Sequence, residues 1–229
     1  MELVKSGKTK DVFKMDNGHY LLKFKDSVTG GPGGVVDPGG NLVVGEQAGM
    51  GRSCLAMTAF IFDEVAKRGL AATHMVRSDL DECAMEVVPA RAFGQGLEVI
   101  VRFIATGSFV RRYALYVRDG QRLSGPLVEL TLKDDERGDP LINDEALMEL
   151  GLAGRQEIDR IKAQAKSIAT LIQELGQKNG LEIYDLKMEF GRGADGGLLL
   201  IDEISPGSMR AYKGEQRLQG PELAQAFVG

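Results

Sequence analysis

Apolar residues recur at three- and four-residue steps between Gly154 and Gly180, at Ile158, Ile161, Ala165, Ile168, Ile172 and Leu175. This spacing lays one apolar stripe along a helix, and Gly180 stands just past its end as a stop. A stripe this regular reads as core packing rather than a cofactor-binding face. A second helix is predicted over residues 51–68, where Leu55, Phe60, Ile61 and Val65 share a side and Gly69 follows. Strand-like segments surround these helices. Val12-Phe13 and residues 19–24 flank Asn17-Gly18, a two-residue hairpin signal. Further strands are predicted at residues 73–77, 84–88, 97–103 and 127–132, with Gly94-Gln95-Gly96 as a turn and residues 133–143 as a polar loop. Ser108 is expected to open a helix by capping its exposed N–H groups. Strands over residues 181–190 and 198–204 are joined by the glycine-rich turn 191–197.

Strands dominate the first half and alternate with helices in the second, with no internal repeat. The pattern predicts an α+β protein of two lobes with a cleft between them, divided near Val88 into residues 1–88 and 89–229. Residues 30–40 hold six Gly and two Pro in eleven positions, which suits neither a helix nor an inner strand. The segment reads as a mobile loop, either a lid over a ligand or a plain connection.

Composition narrows the function classes. The chain has 229 residues, 43% hydrophobic and 27% charged, ordinary values for a globular protein. A net charge of -5 and a longest basic run of only Arg111-Arg112 argue against a nucleic-acid partner. Cys54 and Cys83 are too few and too isolated for a disulfide framework or a metal site, and are expected to pack in the core. No apolar run approaches the roughly 20 residues that span a bilayer, and the first residues lack a signal-peptide pattern. The expected setting is a reduced cytoplasm, with no membrane partner.

Three constellations carry candidate chemistry. In the run Tyr184 to Phe190, strand alternation sets Asp185, Lys187 and Glu189 on one face and Leu186, Met188 and Phe190 on the other. The next strand delivers Asp202 at its exit, so a hairpin would bring Glu189 and Asp202 together. Two such carboxylates repel unless a cation lies between them, and Mg²⁺ prefers hard oxygen ligands. The competing reading is a solvated strand face with Lys187 paired to an acid. Lys5-Ser6-Gly7-Lys8-Thr9-Lys10 resembles the tail of a Walker A loop, but position 2 is Glu and a strand follows instead of a helix. A Gly turn with flanking lysines can still cover a triphosphate, or be a basic surface hairpin. Finally, Arg102 ends a strand and Ser108 begins a helix after a small-residue turn. This combination suits a phosphate or a structural cap.

Together these segments resemble the SAICAR synthetase family. The matching stretches are Gly7-Lys8-Thr9-Lys10, Phe24-Lys25-Asp26, Thr73-His74, Val101-Arg102 and Ala105 to Ser108. They continue in Lys133-Asp134-Asp135, Gly138-Asp139-Pro140, Asp185 to Gly191, Asp202-Glu203-Ile204-Ser205-Pro206 and Arg210. The resemblance implies a kinase-like or ATP-grasp-like fold with ATP and Mg²⁺. The implied ligase joins L-aspartate to carboxyaminoimidazole ribotide through an acyl phosphate in purine biosynthesis. It implies that residues 1–88 form the nucleotide-binding lobe and 89–229 the lobe with metal and substrate sites. Gly7, Lys8 and Lys10 would hold phosphates, Glu86 and Val88 would border the adenine, and Lys187 would assist ATP binding. Glu189 would contribute to the nucleotide site and hold Mg²⁺ with Asp202. Arg102, Ser108 and Arg210 would grip the ribotide phosphate, and Lys10, Asp185 and Lys187 would form the catalytic set. The family pattern differs at the 30–40 loop, at residues 45–50, at Gly207 in place of Asp, and at Ala211-Tyr212-Lys213. The tail after Arg210 is also short and lacks the Lys and Arg motif that the resemblance associates with the amino-acid side of the site, for which Lys213 or Arg217 would have to substitute. Two other readings are a related ligase or kinase acting on another phosphorylated small molecule and a regulatory nucleotide-binding protein. Association of the chain with copies of itself is left open.

Overall fold

A computed structural model describes residues 1–31, 33–38, 40 and 42–229. The chain opens with strands β1 (Glu2–Ser6), β2 (Lys10–Lys14), β3 (Tyr20–Phe24), β4 (Ser27–Gly30) and β5 (Leu42–Glu46), then helix α1 (Met50–Lys67). Next come β6 (Ala72–Thr73), β7 (Met75–Asp79), β8 (Ala84–Val87), β9 (Arg91–Ala92), β10 (Leu97–Ile104), α2 (Gly107–Tyr113) and β11 (Arg122–Leu132). Helices α3 (Asp144–Glu149) and α4 (Arg155–Lys178) follow. The chain closes with β12 (Glu182–Arg192), β13 (Leu198–Ile201), β14 (Met209–Lys213), β15 (Gln216–Leu218) and α5 (Gly220–Val228).

Two main sheets result. The smaller is antiparallel, in the order β1-β2-β3-β8-β7. Its core side carries Leu22, Phe24, Met85 and Val87, which pack with Met50, Cys54 and Leu55 of α1. The larger sheet runs β11-β10-β12-β13-β6, with β14, β15 and β9 attached through β12. The predicted stripe of α4 lies over this sheet, and Ile158, Ile161, Ala165, Ile168 and Ile172 are fully buried. Each such isoleucine contributes on the order of 1.5–3 kcal/mol by leaving water. Helix α1 also sends Met57, Ile61, Phe62 and Val65 into this larger core, so one helix is shared by both. Among the described residues no helix is long and apolar enough to cross a membrane.

The hairpins anticipated around Asn17-Gly18 and Gly191–Gly197 both form. Other expectations are corrected. The strand predicted over residues 73–77 is two strands in different sheets: β6 runs parallel to β13, whereas β7 pairs with β8. His74 sits at the switch, its N–H donating to Leu200 O and its carbonyl accepting from Val88 N. The strand predicted to reach residue 204 stops at Ile201, because Asp202 adopts a left-handed φ of 63°. Thr106, not Ser108, stands at the N-cap position of α2, without a side-chain cap hydrogen bond, and the Ser108 hydroxyl accepts instead from Arg102. Strands β1, β4, β5, β9, β14 and β15 and helices α3 and α5 were not anticipated. In the glycine-rich segment Pro32 and Gly39 lie outside the described residues, as does Asn41 just beyond it. Cys54 is buried in the smaller core and Cys83 is half-buried beside it.

Candidate active site

Strand β12 sorts its side chains as alternation requires. Leu186, Met188 and Phe190 are each 1% exposed within the larger core. Asp185, Lys187 and Glu189 line the open side. There a cavity of about 390 Å³ is bounded by Gly7, Lys8 and Lys10 from the β1–β2 turn and by Lys187 and Glu189. Asp202, Glu203, Glu98 and Lys133 complete its charged wall. Gly7 is required at the turn, since a Cβ there would lie 2.7 Å from Lys10 O.

The charges in this cavity alternate in sign. Lys10 Nζ lies 2.5 Å from Glu203 Oε1 and 3.0 Å from Asp202 Oδ1. Lys133 Nζ is 2.7 Å from Glu189 Oε1, and Lys187 Nζ is 2.6 Å from Glu98 Oε1. Lys8 reaches across the mouth to Asp135 Oδ2 at 2.6 Å. Burial disfavours the charge on Lys10, but Asp202 and Glu203 outweigh it and hold the amine above the ordinary lysine range. Burial likewise opposes ionisation of Asp202, yet Lys10 and Lys133 keep it well below the usual carboxylate range. Glu189 moves the other way, pushed up by burial and then by the charge of Asp202. The two carboxylates share one hairpin, with Glu189 opposite Ile201 in the β12–β13 register.

A second recess, about 110 Å³, adjoins the first and shares Pro38, Glu98, Lys187 and Ser208 with it. It brings together Arg102, Ser108 and Arg210, with Asp185 between the two guanidinium groups. Arg102 is 1% exposed and donates from Nε to Glu129 at 2.7 Å, from Nη1 to Asp185, and from Nη2 to Ser108 Oγ at 2.9 Å. Arg210 donates from Nη1 to Asp185 at 2.6 Å and from Nη2 to Asp37 of the glycine-rich segment at 2.5 Å. Gly107 allows this approach: its φ is 56°, and a Cβ there would lie 2.7 Å from Arg210 Nη2.

The structure does not bring Glu86 or Val88 to these cavities. Odd positions of β8 enter the core, so the Glu86 side chain turns to the opposite face. There hydrogen bonds from His19, Arg77 and Asn17 lower its pKa to about 2. The Val88 N–H is occupied by His74 O.

Sequence reasoning also left Glu98, Lys133, Glu129, Asp37 and Glu203 without roles. A signal for Glu98 was present in the strand period: Glu98 and Arg102 fall on one face of β10. The antiparallel register sets them opposite Glu189 and Asp185. For Asp37 and Glu129, no local pattern foretold the partner.

Known proteins share this arrangement of chain and sheet. The family profile described as SAICAR synthetase matches residues 3–225. The phosphoribosylaminoimidazole-succinocarboxamide synthase of Clostridium tetani is 46% identical over 229 residues, covering 100% of both chains. That of Methanocaldococcus jannaschii is 32% identical over 93% of this chain and 82% of its own. A solved SAICAR synthetase of type 2 in complex with ADP superposes with a TM-score of 0.82 at 27% identity, covering 94% of this chain and 86% of the other. With its full length matched and its lysine and carboxylate motifs gathered at one cleft, this chain belongs to the SAICAR synthetase family.

Proposed function

We propose that the large cavity receives Mg-ATP and the arginine recess receives the ribotide phosphate. The chain is an ATP-dependent carbon–nitrogen ligase that joins L-aspartate to carboxyaminoimidazole ribotide in purine biosynthesis. The observation that best supports the division is the lysine set. Lys8, Lys10, Lys133 and Lys187 converge on one cavity that opens beside Arg210.

Two anions must meet before any bond forms: the ATP triphosphate and the ribotide carboxylate. Lys10 and Lys187 are held charged by buried acids and reduce that repulsion without reorganising, which is the main demand of phosphoryl transfer. Gly7 and Lys8 close over the phosphates. In the first step the carboxylate oxygen bonds to the terminal phosphorus and the bond to ADP breaks. In the second, the aspartate amine attacks the acyl carbon. The C–N bond forms as the C–O bond to phosphate breaks, and the amine loses its proton to solvent. Asp185 fixes Arg102 and Arg210 relative to each other, while Arg210 and Ser108 face the acceptor phosphate and Arg102 supports Ser108 from behind.

The donor set also fits Mg²⁺. Among the described residues no cluster of three or more His, Cys, Asp or Glu could hold an ion. Mg²⁺, however, is commonly held by one or two carboxylates together with substrate phosphates and water. Glu189 and Asp202 would hold it, and a cation there would relieve the repulsion that raises Glu189. When bound, Mg²⁺ neutralises charge on the phosphoryl oxygens.

The same reading assigns residues 1–88 to the nucleotide lobe and 89–229 to the metal and substrate lobe, with α1 packed into both cores. It places the enzyme in the cytoplasm, among its small-molecule substrates. The test is phosphate release with ATP, aspartate and the carboxylated ribotide, repeated with each omitted. Release requiring all three is the expected result. ADP formation without aspartate and without phosphate release would favour a kinase, and phosphate release with a different acceptor would favour a related ligase.

A further inference from the structure

The matched stretch Thr73-His74 has no part in the proposed chemistry, and His74 is not among the residues that bound the large cavity. It is 5% exposed and packs edge-on against Phe62, with ring centroids 5.9 Å apart. Its hydrogen bonds nonetheless lead to Asp202. Strand β13 ends at Ile201, and the next residue takes a left-handed φ of 63°. A residue other than glycine rarely adopts that conformation, and keeps it only where the surrounding contacts over-determine the chain.

Those contacts fall on alternate carbonyls. Leu200 O accepts from the His74 N–H at 3.0 Å, Asp202 O from His74 Nε2 at 3.3 Å, and Ile204 O from Thr58 Oγ1 at 3.2 Å. The first bond extends the parallel pairing of β6 with β13. Past Ile201 that pairing stops, and two side chains continue it. Because a carbonyl can only accept, Nε2 carries the ring hydrogen. Asp202 thus turns with its carbonyl held inside the protein and its carboxylate delivered to the cavity, where Oδ1 meets Lys10 at 3.0 Å. The His74 carbonyl accepts in turn from Val88 N at 2.8 Å, which ties the Asp202 turn to the junction of the two sheets.

We infer that His74 is a positioning residue for the metal-binding carboxylate: its Nε2–H holds the Asp202 carbonyl in the left-handed turn and so aims the Asp202 side chain into the cavity. The inference rests on the reading of Asp202 as a Mg²⁺ ligand and adds the residue that fixes its direction. Removing a group that orients a metal ligand from behind typically costs about 10- to 100-fold in metal affinity or activity.

Calorimetric titration with ADP, in the presence and absence of Mg²⁺, tests this without turnover. Wild type should bind ADP more tightly when Mg²⁺ is present. His74→Leu fills similar space without a donor, and the amide of His74→Asn is too short to reach Asp202 O. Both should lose most of the Mg²⁺-dependent gain, a fall of about tenfold or more in affinity for Mg-ADP. Their affinity for metal-free ADP should stay within about twofold of wild type, as expected where no shared contact is lost. His74→Gln carries an N–H at nearly the reach of Nε2 and should keep most of the gain. The same order should appear in kcat, with KM for aspartate and ribotide within about twofold of wild type. A residue needed only for packing would instead lower Tm and leave the Mg²⁺ gain intact. If His74→Leu does not fold, His74→Asn and His74→Gln decide the matter. A folded His74→Leu or His74→Asn protein with the full wild-type gain overturns the inference, as does a His74→Gln protein no better than His74→Asn. Asp202→Asn locates such a failure. If it also keeps the gain, the metal reading itself falls; if it loses the gain, only the role of His74 does.

Discussion

Replacing Arg102 by Met separates architecture from substrate binding in the arginine recess. Arg102 is 1% exposed, and its guanidinium serves Glu129, Asp185 and Ser108 at once. Methionine can occupy the space of the stem but leaves two buried carboxylates short of a partner. Neither is wholly abandoned, because Glu129 keeps Arg112 at 2.6 Å and Asp185 keeps Arg210 at 2.6 Å. Removing one member of a buried ion pair costs about 3–5 kcal/mol. For a chain of this size each kcal/mol lowers Tm by roughly 2–4 °C, so the expected drop is roughly 6–20 °C. Arg102→Lys restores a positive charge but not the three-way fork, and should recover only part of that loss. Arg210→Lys provides the contrast. Its guanidinium spans Asp185 and the loop residue Asp37 at the mouth of the recess, so acceptor affinity should fall about tenfold, the worth of a charge-assisted bond. Thermal unfolding followed by circular dichroism, with acceptor KM measured on the same samples, separates the two effects. An Arg102→Met protein melting within about 2 °C of wild type would refute the buried-network argument.

Asp202→Asn should fold and still bind nucleotide, yet lose most turnover at saturating Mg-ATP; wild-type turnover in that variant would end the metal assignment. Peptides containing Asp37 and Pro38 should gain hydrogen-exchange protection when nucleotide and acceptor are bound, because Pro38 borders both the large cavity and the arginine recess. Equal protection with and without ligands would reduce the segment to a connection. Glu86 has its pKa lowered from 4.5 to about 2 by hydrogen bonds from His19, Arg77 and Asn17. A depressed carboxyl contributes stability that is present above its unfolded pKa and lost as pH falls through the folded one. Urea midpoints should therefore drop between about pH 4.5 and 2, and Glu86→Gln should flatten that limb; an identical acid profile in the variant would contradict the assignment.

Local periodicity was enough to read much of this protein. The α4 stripe, the two hairpins and the sorting of β12 into an apolar and a charged face depend on spacings of two to four residues, and these the chain carries along its length. The candidate residues Lys10, Lys187, Glu189, Asp202 and Arg210 were legible as well, because they fall in compact motifs. What each one touches was not. Lys10 meets Glu203 across 193 positions of sequence, and Arg210 meets Asp37 across 173. Strand 73–77 looks continuous in one dimension but divides at His74, because its two ends find hydrogen-bond partners in different sheets. Ser108 has the chemistry of a cap but is claimed by Arg102, whose position is set by the β10–β12 register. That Glu203 Oε2 is buried without a hydrogen-bond partner carries no local signal, since such an atom is defined only by everything packed around it. Backbone propensity and side-chain alternation act between neighbours, whereas desolvation and charge pairing act between whatever the closed sheets bring within a few ångströms.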